Sequence, residues 1–411
     1  MKIINKIILI LFFLISTSYV YADKCKDYKI YDAPEDINSF GMDTTNHWWA
    51  LLGTYSTVST LIIDGQKAGT FVEIRNLIFS PDGNRWAFFG RDNVQWHVVT
   101  NDTIFALPGT DVKEMQFSPN SEALVYSYME GDYEVIIMPG RRIHVYQRQG
   151  TFFLSQDGRK IAFMGYRGDK VILNINGIES TAYDDIKPFG FSSDGKMIYA
   201  VFNGITWEVF RGEDVVTDSY SNITETAINL EGTVAAFIAR QTSGNYITIM
   251  LSDEYYNPIV GKPYDAAYNL ILHPHTSLVC YAAQIASSNL VVLNNTEYSG
   301  GLENSKPMFT YDGSEIYFAG CDIDCFLNIS GKKYPVSTML NLNSYYAKKP
   351  GNNSIAYSTS SSMIVREIES GTMYAGMMVD TLISPRYNWR EDRYETLGKI
   401  NKRLYLLTCA F

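Results

Sequence analysis

Phe79-Ser80-Pro81-Asp82-Gly83 joins two short apolar runs, and the same phrase returns down the chain. It reappears as Phe117-Ser118-Pro119-Asn120, as Phe153-Leu154-Ser155-Gln156-Asp157-Gly158 and as Phe191-Ser192-Ser193-Asp194-Gly195. Weaker copies are Ile228-Asn229-Leu230-Glu231-Gly232, Ile271-Leu272-His273-Pro274 and Phe309-Thr310-Tyr311-Asp312-Gly313. Successive copies begin 38, 36, 38, 37, 43 and 38 residues apart. So regular a period marks stacked supersecondary units rather than one irregular core.

The phrase itself is turn chemistry. Pro fixes one dihedral, Asp bonds nearby backbone, and Gly accepts a positive φ. Around Phe79 the flanking pattern reads as four strands. Residues 76–79 enter the turn, 85–89 leave it, 94–100 follow a loop at 90–93, and 103–107 follow the turn Asn101-Asp102. The grammar recurs at 160–175, 196–210 and 315–329, with Asn-Gly or Asp-Gly hairpins between apolar runs. Four short strands in about 38 residues make one β-propeller blade. The 30 Tyr, 21 Phe and 6 Trp also suit strands better than helices.

The Phe-Ser-x-Asp-Gly phrase followed by an apolar strand resembles the TolB-type, WD-repeat-like propeller repeats over most of residues 70–330. The resemblance implies a propeller and is nearly silent about activity. TolB itself carries an α/β domain before its propeller. Here the repeats begin close to the start, so the resemblance is not to full-length TolB. The expected fold is all-β: a single β-propeller of four-stranded antiparallel blades, about eight to ten in number, closed by N- and C-terminal strands. Residues 48–53 with 61–65, and 353–359 with 363–368, read as degenerate outer units. In the closing blade 403–409 reads as a second strand and 28–31 as a third. Segment 370–398, with Arg386, Arg390, Glu391, Asp392 and Arg393, reads as a surface loop.

Residues 1–22 read as an export signal. Lys2 and Lys6 precede the apolar run 7–15, and Val20-Tyr21-Ala22 offers a small-x-small cleavage site. That run is too short to span a bilayer comfortably, and Asp23 and Lys24 disfavour a lipoprotein reading of Cys25. The expected domain is therefore 23–411, exported to the periplasm or beyond, with no membrane span after cleavage. Removing the signal leaves 32 basic against 44 acidic side chains. There is no Lys or Arg run, which argues against a nucleic-acid partner.

Five cysteines fit an exported chain: Cys25, Cys280, Cys321, Cys325 and Cys409. Ring closure would make Cys25 and Cys409 neighbours in one blade, hence a disulfide latch. Cys321 and Cys325 face each other across a hairpin mouth and can form a second bridge. Cys280, inside a strand, reads as a buried inert thiol.

Catalytic signatures are missing. There is no Gly-x-Ser-x-Gly elbow, Walker loop, His-Glu-x-x-His or EF-hand loop. His273-Pro274-His275 lacks a third ligand close in sequence and occupies an anchor turn, so no metal or other cofactor is expected. Residues 80–86 faintly resemble the Asp-box of sialidase propellers, a structural motif. The expected function is a non-catalytic module that docks a protein or a cell-envelope component. The alternative is a carbohydrate-active or other hydrolytic propeller with paired channel carboxylates. Docking residues are expected on the charged loops between second and third strands: Arg91 and Asp92, Asp132 and Tyr133, Arg167 and Asp169, Arg240, and Asp322 and Asp324.

Overall fold

Each copy of the repeat opens a separate four-stranded antiparallel sheet, and there are ten such sheets. The computed structural model describes residues 24–53, 58–145, 148–253, 257–301, 303–321, 323–335 and 346–411. The expected export signal lies outside them. We number the sheets as blades 1–10 from the first complete one. Blade 1 is Ile37–Met42, Trp48–Leu52, Ser59–Ile63 and Gln66–Phe71. Blade 2, which carries the opening phrase, is Glu73–Phe79, Trp86–Arg91, Trp96–Thr100 and Ile104–Ala106. The chain continues in this order to blade 9, Tyr346–Lys348, Ser354–Ser358, Met363–Glu367 and Met373–Ala375.

The tenth blade uses both ends of the chain. Its inner strand is split into Thr381–Leu382 and Arg386–Asn388, followed by Arg393–Ile400 and Arg403–Ala410. Its outer strand is Cys25–Asp32, paired antiparallel with Arg403–Ala410 so that Cys25 faces Cys409. Two expectations are corrected here. Segment 370–398 contributes three strands and part of a fourth, and only residues 389–392 form an exposed turn between them. The extra strand Arg393–Ile400 makes Arg403–Ala410 third and Cys25–Asp32 fourth. The cause of the misreading is a charge pair inside the sheet. Arg386 Nη2 meets Glu395 Oε1 at 2.6 Å, and Glu395 is buried. A satisfied ion pair lets charged residues occupy strand positions.

Ten apolar clusters hold the blades together, one per interface. Trp86 and Phe88 of blade 2 pack with Leu61 and Ile63 of blade 1. Phe89 and Val98 of blade 2 pack with Tyr128 and Val135 of blade 3. Phe189 and Trp207 meet Phe237 and Ile249 between blades 5 and 6. The ninth blade meets the tenth through Met363 and Val365 against Tyr394 and Leu407. Leu404 of blade 10 packs against Ile37, Ala50 and Ile62 of blade 1. An open stack of ten units has nine interfaces, so this last cluster is what closes the ring.

Antiparallel alternation sorts the turns onto two faces. The anchor turns, between inner and second strands, share one face with the third-to-outer turns. The second-to-third hairpins share the other with the blade-to-blade connections. We call these the anchor face and the hairpin face.

Candidate functional site

On the hairpin face, several of the expected docking residues are occupied locally. Asp92 accepts from the backbone N–H groups of Val94 at 2.7 Å and Gln95 at 2.8 Å, and lies 2.8 Å from His97 Nε2. The bonds from Gln95 and Val94, then that from His97, hold its carboxyl down to about 2. Arg91 pairs with Glu73 at 3.0 Å and lies over the Trp96 ring. Arg167 pairs with Glu179. Arg240 donates to Gly244 O at 3.2 Å and covers Tyr246. Asp132, Tyr133, Asp169 and Asp324 are exposed. Asp322 lies outside the described residues.

The same hairpins expose apolar residues that, Tyr133 apart, sequence reading did not single out. Val94 is 87% exposed, Ile205 82% and Ile323 100%. Exposed large apolar residues also stand at or beside the hairpin tips of blades 1, 3, 4 and 7, at Val58, Tyr133, Tyr166 and Ile285. Scattered exposed apolar residues are ordinary. Here seven of ten blades carry one in or within a few residues of the second-to-third hairpin. The signal was present as a lone apolar residue inside a polar turn, as in Asp92-Asn93-Val94-Gln95 and Asn203-Gly204-Ile205-Thr206. Both expected disulfides are formed. Cys25 and Cys409 have Cα atoms 4.1 Å apart, and Cys321–Cys325 clamps the strand ends beneath Ile323 with Cα atoms 4.0 Å apart. Cys280 is buried as a free thiol, and burial pushes it up to about 12.

The anchor face holds a concavity of about 780 Å³. Its lining exposes a rule of the repeat. In five anchor turns a polar residue ties down the backbone and the next residue lines the bowl. Pro81, Leu230, Pro274, Tyr311 and Trp389 all line the bowl, and they follow Ser80, Asn229, His273, Thr310 and Asn388. Tyr311 and Trp389 stack at 5.0 Å with planes 14° apart, and the Arg390 guanidinium lies 5.2 Å from the Trp389 ring centre. On the rim, His275 Nδ1 is 3.0 Å from Glu231 Oε1. His273 is buried, with Nε2 3.0 Å from Tyr311 O. The two rings of His273-Pro274-His275 therefore serve separate partners. Among the described residues no group of three His, Cys, Asp or Glu converges. One carboxylate lines the bowl, Asp43, which accepts from the His47 N–H at 2.7 Å.

The arrangement defines the class: a closed, ten-bladed β-propeller with an apolar-tipped face and an aromatic bowl on opposite sides. No protein-family model and no curated protein matches the chain. Among solved structures it is similar to TolB from Acinetobacter baumannii, at 13% identity and TM-score 0.31, over 63% of this chain and 75% of that one. It is similar to the Dos1 propeller at 9% identity and TM-score 0.39, over 82% and 92%. It is similar to an oligogalacturonate lyase in complex with manganese at 12% identity and TM-score 0.39, over 94% and 98%. These are likenesses of architecture alone, and the fold rests on the sheet pairing described above.

Proposed function

We propose that this chain is an exported, non-catalytic docking module, with residues 1–22 as its cleaved signal and 23–411 as one propeller domain. Its hairpin face engages a protein or a cell-envelope component. The observation that carries the reading is the recurrence of exposed apolar tips on that face. Such residues gain most when a partner removes them from water, and the disulfide beneath Ile323 holds one tip in place, lowering the entropy lost on binding. Asp132, Asp169 and Asp324 supply a polar rim around the tips. Two disulfides support an oxidising compartment, in keeping with the export signal.

The hydrolytic alternative needs two carboxylates about 5–9.5 Å apart across a scissile bond. The anchor-face bowl has aromatic walls, yet its lining carries the single carboxylate Asp43. Immobilised mature chain, exposed to an envelope extract from its own source, tests the docking face. A defined partner should be retained by the unmodified chain and by Ile178→Ser, whose side chain is exposed on the anchor side. It should be lost with combined Val94→Ser, Ile205→Ser and Ile323→Ser. Retention by the triple variant would place docking elsewhere.

A further inference from the structure

The bowl lies on the face opposite the apolar tips and is not explained by docking there. At blades 2 and 7 the turn-following position is the Pro that shapes the turn, whereas at blades 6, 8 and 10 it is Leu230, Tyr311 and Trp389. At blades 8 and 10 it is aromatic, and both rings remain roughly half exposed. Trp49 and Phe79 add further aromatic lining.

Arg390 sharpens the chemistry. Arg75, Arg142, Arg148, Arg167, Arg386 and Arg393 each meet a carboxylate. Arg390, like Arg85 and Arg240, meets none among the described residues and lies by a ring, but it alone of these three lines the bowl, 5.2 Å from the Trp389 ring centre. A guanidinium beside a ring, with no carboxylate partner, keeps its planar fork of donors for a carboxylate. Thr44, Thr45 and His275 place hydroxyl and imidazole groups on the same lining.

We propose that the anchor-face bowl binds an acidic saccharide. The apolar face of a sugar ring packs on the Tyr311–Trp389 stack, its carboxylate pairs with Arg390, and its hydroxyls meet the threonines and His275. A peptide held by its backbone would need free partners, and the Asp82 N–H beside the lining Pro81 is already given to Ser121 Oγ at 3.0 Å.

Titration calorimetry on the full mature chain tests this with three probes: an oligomer of a uronic acid, a neutral oligosaccharide of equal length, and an oligoglutamate peptide. The uronate oligomer should bind saturably, at least tenfold tighter than either other probe. Arg390→Gln should weaken it at least tenfold while leaving any neutral-sugar binding unchanged, and Trp389→Ala should abolish it. Both side chains are exposed, and the melting temperature checks that each variant folds. No saturable uronate binding, equal affinity in Arg390→Gln, or preference for the peptide would overturn the proposal. The Val94, Ile205 and Ile323 triple variant should bind the uronate normally, so failure here leaves the docking reading standing.

Discussion

Ser80 shows how one side chain fixes a blade. Its hydroxyl donates to Asp82 Oδ1 at 2.6 Å and accepts from the Arg85 N–H at 3.0 Å, and it is fully buried. Gly83 takes φ near 75°, which lets its N–H reach Ser80 O at 2.8 Å. In blade 3 the glycine position holds Ser121, also left-handed, with φ 66°. Its hydroxyl takes the Asp82 N–H, so backbone strain is exchanged for a bond between blades. Ser80→Ala should cost about 1–3 kcal/mol, because it strands a buried N–H; chemical denaturation measures this. The same turns make the protein acid-sensitive. The Ser80 hydroxyl and the Asn84 amide hold Asp82 down to about 2 against the cost of burial. Asp157 is lowered by its Ser155 bond. In Asp194 and Asp312 burial opposes the shift and hydrogen bonds outweigh it. A depressed folded pKa means the unfolded chain binds more protons, so this stabilisation is complete above about pH 4 and is lost toward pH 2. Thermal melts across that window should show a falling midpoint, and a flat profile would contradict the assignment.

Between elements, a nearly buried triad ties the inner strand of blade 4 to the inner and third strands of blade 3. Arg148 of blade 4 meets Glu114 and Glu134 of blade 3, each at 2.7 Å. Arg148→Met leaves two carboxylates together with no cation and should cost about 3–5 kcal/mol. Adding Glu114→Gln and Glu134→Leu removes the stranded charges and should restore much of that loss, as read by denaturant midpoints. Charge inside sheets also explains what the sequence did and did not reveal. The anchor phrase made blades 2–8 legible, because Pro, Asp and Gly are dictated by local backbone geometry. Blade 10 was misread because Arg386, Arg393 and Glu395 look like a loop until their pairing is seen. The partners of the expected docking residues were not legible, because Arg91 pairs with Glu73 and Arg167 with Glu179 only once the strands lie side by side. The bowl was hidden for a different reason. Pro81, Leu230, Pro274, Tyr311 and Trp389 are far apart in sequence and meet only once the ring closes.

For the whole molecule, closure is the property on which both faces depend. The Cys25–Cys409 bridge spans 384 residues. In the chain-entropy limit such a loop contributes about 6 kcal/mol, against about 2 kcal/mol for the short Cys321–Cys325 loop. Combined Cys25→Ser and Cys409→Ser should therefore lower the denaturation midpoint clearly more than combined Cys321→Ser and Cys325→Ser. Equal effects would mean that the ends gain little from being tied. The most direct test of the ring is a protease digest of the unreduced protein, mapped by mass spectrometry. The account predicts one cross-linked species joining the peptide of Cys25 to that of Cys409, with Cys280 alone left to alkylate after unfolding. Free thiols at both ends, or either end cysteine bridged to Cys280, would contradict a blade built from the two termini.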